Sequence, residues 1–99
     1  AAHAAQAQRL LDVLAALDLA HTGEPPSIAA LQSLSRDRQA NALRHWLRGA
    51  HGVAASAAQL HELLGQVDAC RTRGHAIRLR VANGFVVREG GRLTFTPSV

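Results

Sequence analysis

The stretch SRDRQANALRHWLRG, residues 35–49, carries the signals of a complete amphipathic helix. Ser35 is a favourable N-cap, because its hydroxyl can accept a hydrogen bond from an unpaired amide of the first turn. Gly49 can take the left-handed backbone conformation that ends a helix, so the pattern predicts a helix from Ser35 to Gly49. One face of this helix is apolar and consists of Ala40, Leu43, Trp46 and Leu47.

The opposite face of the same helix is basic and consists of Arg38, Arg44, His45 and Arg48. Arg44 and Arg48 are like charges one turn apart, an arrangement that costs a helix a little stability. Asp37 is the only acidic residue in the stretch. A face that contacts only water fits this pattern, and so does a face that binds an external anion such as RNA phosphate. For His45, the same two interpretations are an exposed position and a contact to a phosphate or a base.

Composition limits the class of protein. The 99 residues suit one small domain, and 47% of them are hydrophobic, mostly alanine and leucine, which favours a helical core. The formal net charge is +4, and all 11 basic residues counted in it are arginine. Arginine can bind phosphate through two parallel hydrogen bonds, so the basic balance suggests a nucleic acid or an acidic surface as partner.

The N-terminal region has the spacing of a helix over residues 1–20. We interpret Arg9, Asp12 and Asp18 on this helix most simply as solvated charges. The predicted apolar stripe of the helix consists of Ala7, Leu10, Leu14 and Leu17.

A connector and a short apolar stretch follow. The connector, His21–Ser27, contains a glycine and a pair of prolines, which cannot continue a helix. Three apolar anchors at a spacing of three come next: Ile28, Leu31 and Leu34. They fit either a short helix or a loop attached to the core.

A second capped helix is predicted to begin at Ser56, after a loop around Gly52. Ser56 and Gln59 form an S-x-x-Q capping box, in which each side chain bonds a backbone amide near the other residue. The predicted buried stripe of this helix consists of Leu60, Leu63, Leu64 and Val67. Its predicted closing residues are Arg71, Arg73 and Gly74.

The C-terminal region changes to a period of two, which predicts strands. Apolar and basic residues alternate over Ile77–Val81, as in a half-buried strand. Asn83 and Gly84 are predicted to form a hairpin turn, because both tolerate positive φ. Further strands are predicted at Phe85–Arg88 and Arg92–Thr96. The whole pattern predicts an α+β, mainly α fold: a three-helix domain with a C-terminal antiparallel β-hairpin or meander.

The predicted hairpin is also basic. Arg78 and Arg80 share one face of its first strand, and Arg88 lies on the second strand. Solubility and protection of a sheet edge explain these charges, and so does contact with RNA. The complete set of candidate RNA-binding residues is Arg38, Arg44, His45, Arg48, Arg78, Arg80 and Arg88.

No catalytic constellation is recognisable. The absence of lysine excludes a Walker A loop and a Schiff base. The six histidines have no helical pairing and only one cysteine is present, so we expect no metal site and no catalytic residue. We interpret Cys70 as a buried structural thiol in a reducing, cytoplasmic compartment, and Trp46 as a core residue rather than a base-stacking one.

The sequence contains no methionine, from which we expect a piece of a longer protein. No apolar run approaches the ~20 residues that are needed to span a bilayer. The N-terminus has no basic region followed by an apolar block, so no signal peptide is predicted.

A family resemblance gives these patterns a more specific meaning. The R-x-x-N-x-L-R-x-W-L run in the first capped helix resembles a helix of tRNA(Ile)-lysidine synthetase, in the substrate-binding domain that follows the catalytic domain. Its residues here are Arg38, Asn41, Leu43, Arg44, Trp46 and Leu47. The similarity continues in chain order on both sides, over Leu10–Leu19, Ile28–Leu34, Ser56–Leu63, Val86–Arg88 and Leu93.

The resemblance implies that residues 1–99 form one tRNA-binding domain, a fragment of a longer enzyme, in which residues 1–20 are the helix that leaves the catalytic domain. The family's enzyme uses ATP to adenylate C2 of cytidine 34 in an isoleucine tRNA with a CAU anticodon, and then attaches lysine there. The SGG-x-DS loop that binds ATP in the family is absent from this sequence. We therefore expect neither bound cofactor nor catalysis in this chain, which would position the tRNA.

Two other functions fit the pattern of elements. A winged-helix DNA-binding domain also combines three helices with a hairpin, and Ser56–Cys70 would be its recognition helix. That helix offers few base-reading side chains on its exposed side: Gln59, Glu62 and Gln66. A purely structural or dimerising module is the third alternative, and it predicts no nucleic-acid binding at low salt.

Overall fold

The computed structural model describes residues 2–72 and 74–98. Across these residues, four helices precede a three-stranded antiparallel sheet, which confirms the predicted α+β, mainly α class. The helices are α1 (Ala2–Thr22), α2 (Ile28–Gln32), α3 (Arg36–His51) and α4 (Ala57–Ala69). The strands, which neighbour one another in chain order, are β1 (Arg78–Val81), β2 (Gly84–Glu89) and β3 (Arg92–Pro97).

Helix α3 starts as predicted and ends later than predicted. The Ser35 hydroxyl accepts a hydrogen bond from a first-turn amide at 3.4 Å. The predicted end at Gly49 is wrong, because α3 continues to His51 and Gly52 takes the left-handed conformation, with φ 65°. The Val53 amide bonds a carbonyl of the last helical turn at 3.2 Å, and its side chain is buried. This anchor explains why the later glycine is the cap.

Helix α4 has the predicted capping box. The Gln59 amide donates to the Ser56 hydroxyl at 3.1 Å, and the Ser56 amide donates to the Gln59 side-chain oxygen at 2.9 Å. The helix ends at Ala69, before the predicted closing residues, and Arg73 lies outside the described residues. The predicted stripe is confirmed, since all four of its members are buried: Leu60, Leu63, Leu64 and Val67.

The core lies between α3, α4 and the inner face of the sheet. Trp46 is 2% exposed, which confirms its prediction as a core residue. Leu43 and Leu47 are buried beside it, while Ala40 is half-buried at the edge. The sheet side of the core includes Val81, Val86, Leu93 and Phe95.

The turn between β1 and β2 lies one residue earlier than predicted. Val81 pairs with Gly84, so the two turn residues are Ala82 and Asn83, and Ala82 has the positive φ, 51°. Gly84 belongs to β2, where a Cβ atom would lie 2.5 Å from the carbonyl oxygen of Thr96. The glycine is therefore required by the close approach of β3, not by the turn.

The predicted connector and the second turn pack against each other. Glu89 pairs with Arg92 across a Gly90-Gly91 turn. The Ile28 amide donates to the Gly91 carbonyl at 2.8 Å, at the first residue of α2. The segment that fitted either a helix or a loop thus begins as a short helix, which Ser27 caps through its hydroxyl.

Helix α1 forms over the predicted region and continues two residues further, to Thr22, but its predicted apolar stripe does not face the core. Leu10 and Leu17 are 65% and 64% exposed. The buried side of α1 carries Ala15 and Asp18 instead. The small side chain of Ala15 allows α1 to lie close to α3, so the packed face is small and polar while Leu10, Leu11 and Leu17 are exposed. The interpretation of Asp18 as a solvated charge is wrong, because its exposure is 2%.

Candidate nucleic-acid interface

Arg38 and Asp18 join α3 to α1. Arg38 donates from Nη2 and Nε to the two carboxylate oxygens of Asp18, at 2.6 and 3.2 Å. The hydrogen bond to Asp18, followed by the attraction of its charge, raises the pKa of Arg38 above its ordinary value. Because Asp18 is buried, its negative charge must be balanced by these two hydrogen bonds from the Arg38 guanidinium. The third guanidinium nitrogen, Nη1, forms no hydrogen bond with the residues that the structure describes.

Two further contacts hold the same helix pair together. Asn41 donates from Nδ2 to the Leu11 carbonyl oxygen at 2.9 Å. His45 lies with Nε2 2.8 Å from a carboxylate oxygen of Asp12 and with Nδ1 2.8 Å from the Asn41 carbonyl oxygen. Both neighbours of the ring are acceptors, so both contacts are hydrogen bonds when each nitrogen carries a proton. The bond from His45, ahead of one from Gln8, lowers the pKa of Asp12 below its ordinary value.

Arg44 and Arg48 are exposed and line a cleft of about 170 Å³ between α1 and α3. Within the described part of the chain, neither guanidinium forms an ion pair. The positive charge of Arg48 is a minor cause of the lowered pKa of Asp12, after the hydrogen bonds from His45 and Gln8. The cleft thus presents two cations that are able to bind a phosphate group through paired hydrogen bonds.

Arg88 is engaged inside the molecule. Its Nη1 atom lies 2.9 Å from the Cys70 sulfur, 2.7 Å from the Thr72 carbonyl oxygen and 2.6 Å from the His75 carbonyl oxygen. Its Nε atom donates to the Gly90 carbonyl oxygen at 2.7 Å. These bonds fasten the loop after α4 to the sheet. Cys70 is buried, as predicted for a structural thiol.

Arg78 and Arg80 lie on the outer face of the sheet, beside Phe85. The guanidinium carbon of Arg78 is 4.3 Å from the centre of the Phe85 ring, and that of Arg80 is 5.6 Å away. Both arginines are exposed, and Phe85 is half-buried. Their charges remain available to an anion, because stacking on a ring leaves the N–H edges of a guanidinium free.

The seven predicted residues therefore separate into three groups. Arg44, His45 and Arg48 come together on α3, and Arg78 and Arg80 come together on the sheet. Arg38 and Arg88 hold elements together. Sequence reasoning missed two residues that matter here, Asp18 and Phe85. The spacing of Ala15, Asp18 and Thr22 on one face of α1 was the available signal for the first, since that face is the buried one.

A metal-binding cluster and a membrane-spanning helix are both absent from the described part of the chain. In residues 2–72 and 74–98, no group of three or more histidine, cysteine, aspartate or glutamate side chains is arranged to hold a metal ion. None of the helices described there is long and apolar enough to cross a membrane.

Fold and surface together define a small basic α+β domain with exposed arginines on α3 and on the sheet. Comparison with known proteins is more specific: the model of the TilS substrate binding domain matches residues 27–94. The chain belongs to this family, which confirms the resemblance of the α3 motif.

The chain is similar to proteins named tRNA(Ile)-lysidine synthase. The chain is 58% identical over 96 residues to a tRNA(Ile)-lysidine synthase of Polaromonas naphthalenivorans (strain CJ2), covering 97% of the chain and 29% of that protein. It is 46% identical over 83 residues to the synthase of Burkholderia pseudomallei (strain K96243), covering 80% of the chain and 17% of that protein. The chain spans less than a third of the length of these relatives. No solved structure matches it.

Proposed function

We propose that this chain is the tRNA-binding and tRNA-positioning part of a tRNA(Ile)-lysidine synthetase. The observation that carries the proposal is the 58% identity, over nearly the whole chain, to a protein named tRNA(Ile)-lysidine synthase. The exposed arginines support it physically, because RNA binding depends chiefly on neutralising phosphate charge.

In this proposal, the chemistry takes place outside this chain. The catalytic part of the enzyme would bind ATP, adenylate C2 of cytidine 34 in an isoleucine tRNA with a CAU anticodon, and attach lysine there. Helix α1 would leave that catalytic part, and residues 1–99 would act as a single binding domain. The reaction would take place in the cytoplasm, where tRNA is modified.

The proposed RNA-binding residues differ in how freely they reach a phosphate. Arg44 and Arg48 face solvent across the cleft, and His45 lies at its wall. Arg38 can add a contact only through the N–H groups that its bonds to Asp18 leave unused, on Nη1 and Nη2. Arg88 is occupied by four internal acceptors, so its part in binding is to hold the sheet and the loop after α4 in place.

The winged-helix alternative places its base-reading helix at α4. All three side chains suited to reading bases are engaged within that helix: Gln59 in the capping box, and Gln66 and Glu62 in a 3.1 Å bond that Gln66 donates. This engagement favours RNA positioning by α3 and the sheet over base reading by α4.

Binding measurements on the 99-residue chain test the proposal. We expect it to retain the isoleucine tRNA on a filter at low salt, with affinity falling linearly in log salt. A DNA duplex of equal charge is the comparison, and weaker retention of the duplex is expected. Tighter binding of the duplex would favour the winged-helix function. Absence of binding to either nucleic acid at low salt would favour a structural module.

A further inference from the structure

The outer face of the β-sheet carries a second cluster of charged and aromatic side chains. Side chains alternate along each strand, and the inner set fills the core. Cross-strand pairing sets Arg80 opposite Phe85 and Phe85 opposite Thr96, and it sets Arg78 opposite Val87. Two cations, one aromatic ring and a hydroxyl are therefore adjacent on one open surface. We call Arg78, Arg80 and Phe85 the sheet platform.

In the sheet platform, both guanidinium groups lie close to the ring of Phe85. Arg78 lies at 4.3 Å from the ring centre of Phe85, within the range of a cation–π contact, and Arg80 lies at 5.6 Å. A guanidinium attracted to a ring in this way has fewer conformations to lose when a ligand arrives. Its N–H groups remain available for a phosphate.

Among the residues that the structure describes, the charges of the sheet platform have no ion-pair partner. In residues 2–72 and 74–98, the ion pairs involve neither Arg78 nor Arg80. Two like charges on one face of a four-residue strand repel each other, so the free domain bears an electrostatic cost that a bound anion would remove. The half-buried Phe85 adds apolar, flat surface to the same spot, which solubility alone does not require.

We propose that the sheet platform binds an unpaired nucleotide of the RNA, with the base stacked on the arginine and phenylalanine planes and the adjoining phosphate bound by the N–H edges of Arg78 and Arg80. The proposal rests on the proposed function, since it names one surface through which the domain would hold RNA. An unpaired nucleotide is required, because only an unstacked base offers a free face to aromatic and guanidinium planes.

A stacking contact and a charge contact respond differently to substitution. Phe85→Leu keeps both charges and an apolar side chain but removes the ring. Arg78→Lys keeps the charge on an exposed side chain but removes the guanidinium plane. We expect each variant to weaken binding of a single-stranded RNA oligonucleotide about five- to hundredfold, the range found when one stacked base loses its platform. The slope of log affinity against log salt should stay as in wild type, because no charge is lost.

A fluorescent base analogue gives a signal that depends on base stacking and not on charge contacts alone. A single-stranded RNA carrying 2-aminopurine changes its emission when that base stacks, and we expect the change with wild type and its loss with both variants. Thermal melting by circular dichroism checks that Phe85→Leu stays folded. Arg78→Lys keeps the test valid if Phe85→Leu does not fold, since Arg78 is exposed. Arg71→Lys, at another exposed arginine, is the matched control and should bind like wild type.

The outcomes separate the two proposals. If wild type binds no RNA at low salt, the proposed function fails. If wild type binds RNA while both platform variants bind as tightly and give the same 2-aminopurine signal, the function stands and the sheet platform is overturned. Equal affinity for single-stranded and fully paired RNA would also overturn it, because a paired base cannot stack on the sheet.

Discussion

Arg38 and Asp18, 20 residues apart in the sequence, form a two-pronged ion pair in which the carboxylate is buried and the guanidinium is partly exposed. Asp18 lies near the C-terminal end of α1, and Arg38 lies in the first turn of α3. Arg38, one of the residues predicted to bind RNA, therefore connects α3 to α1. Removing Arg38 leaves the buried carboxylate of Asp18 without its two donors, whereas removing Asp18 leaves a guanidinium that water can reach, and this asymmetry makes the pair testable.

Arg38→Ala should lower the free energy of unfolding by about 1–3 kcal/mol, because the buried carboxylate of Asp18 loses both of its hydrogen-bond donors. Urea unfolding followed by circular dichroism measures the change. The double variant with Asp18→Ala should lose less than the sum of the single variants, since neither partner then remains unpaired. Arg44→Ala, at an exposed position on the same helix, is the control and should change stability by less than about 0.5 kcal/mol. Additive losses would contradict the pairing.

Trp46→Ala should cost about 3–5 kcal/mol, the typical loss for truncating a buried aromatic side chain. Its side chain is 2% exposed and lies among leucines of the same core. In a domain of 99 residues this is a large part of the total stability. Loss of tRNA binding with an unchanged melting temperature would instead assign Trp46 to base stacking.

Gly84→Ala should destabilise the sheet by about 1–3 kcal/mol, because the new methyl group meets the Thr96 carbonyl oxygen and the Phe95 ring. Gly65→Ala is the matched control: Gly65 is helical, exposed and has open space around its Cβ position. That change should stabilise the domain by about 0.5–1 kcal/mol. Thermal melting of both variants measures the contrast. Equal effects would show that the approach of β3 does not determine the residue at position 84.

The predictions that succeeded depend on neighbours in sequence. Ser35 and Ser56 were identifiable as caps because a cap bonds amides two or three residues away. The stripe of α4 was identifiable because every fourth or third residue faces the same side. The class of fold followed from these local patterns and from the alternation in Ile77–Val81.

The predictions that failed depend on residues distant in sequence. Asp18 looked solvated because Arg38, its partner, lies beyond the connector. Leu10 and Leu17 were predicted to be buried because leucine is more hydrophobic than the small residues of α1 that α3 covers. The choice of Gly52 over Gly49 was decided by the burial of Val53, and the shift of the hairpin turn by the contact of Gly84 with β3.

The contact between His45 and Asp12 gives a prediction about pH. Asp12 has a pKa below its ordinary value of 3.8, mainly because of the bond from His45. A carboxyl group with a lowered pKa in the folded state adds stability above its unfolded pKa, and that stability is lost as pH falls through the lowered value. His45→Ala should therefore raise the Asp12 pKa towards 3.8, as followed by NMR titration of its side chain. An unchanged titration would contradict the contact. Gln32→Ala, at a residue bonded elsewhere, is the control.

Arg44→Ala and Arg48→Ala should weaken tRNA binding without unfolding the domain, because both side chains are exposed and make no ion pair among the described residues. Each variant should also reduce the slope of log affinity against log salt by about one, as one phosphate contact and its released counterion are lost. Arg9→Ala removes the same charge from an exposed position on α1, outside the cleft, and serves as the matched control. Filter binding across a salt series measures both quantities. If the two α3 variants match Arg9→Ala in affinity and slope, the cleft is not an RNA surface, and any tRNA binding by wild type must then be carried by the arginines of the sheet.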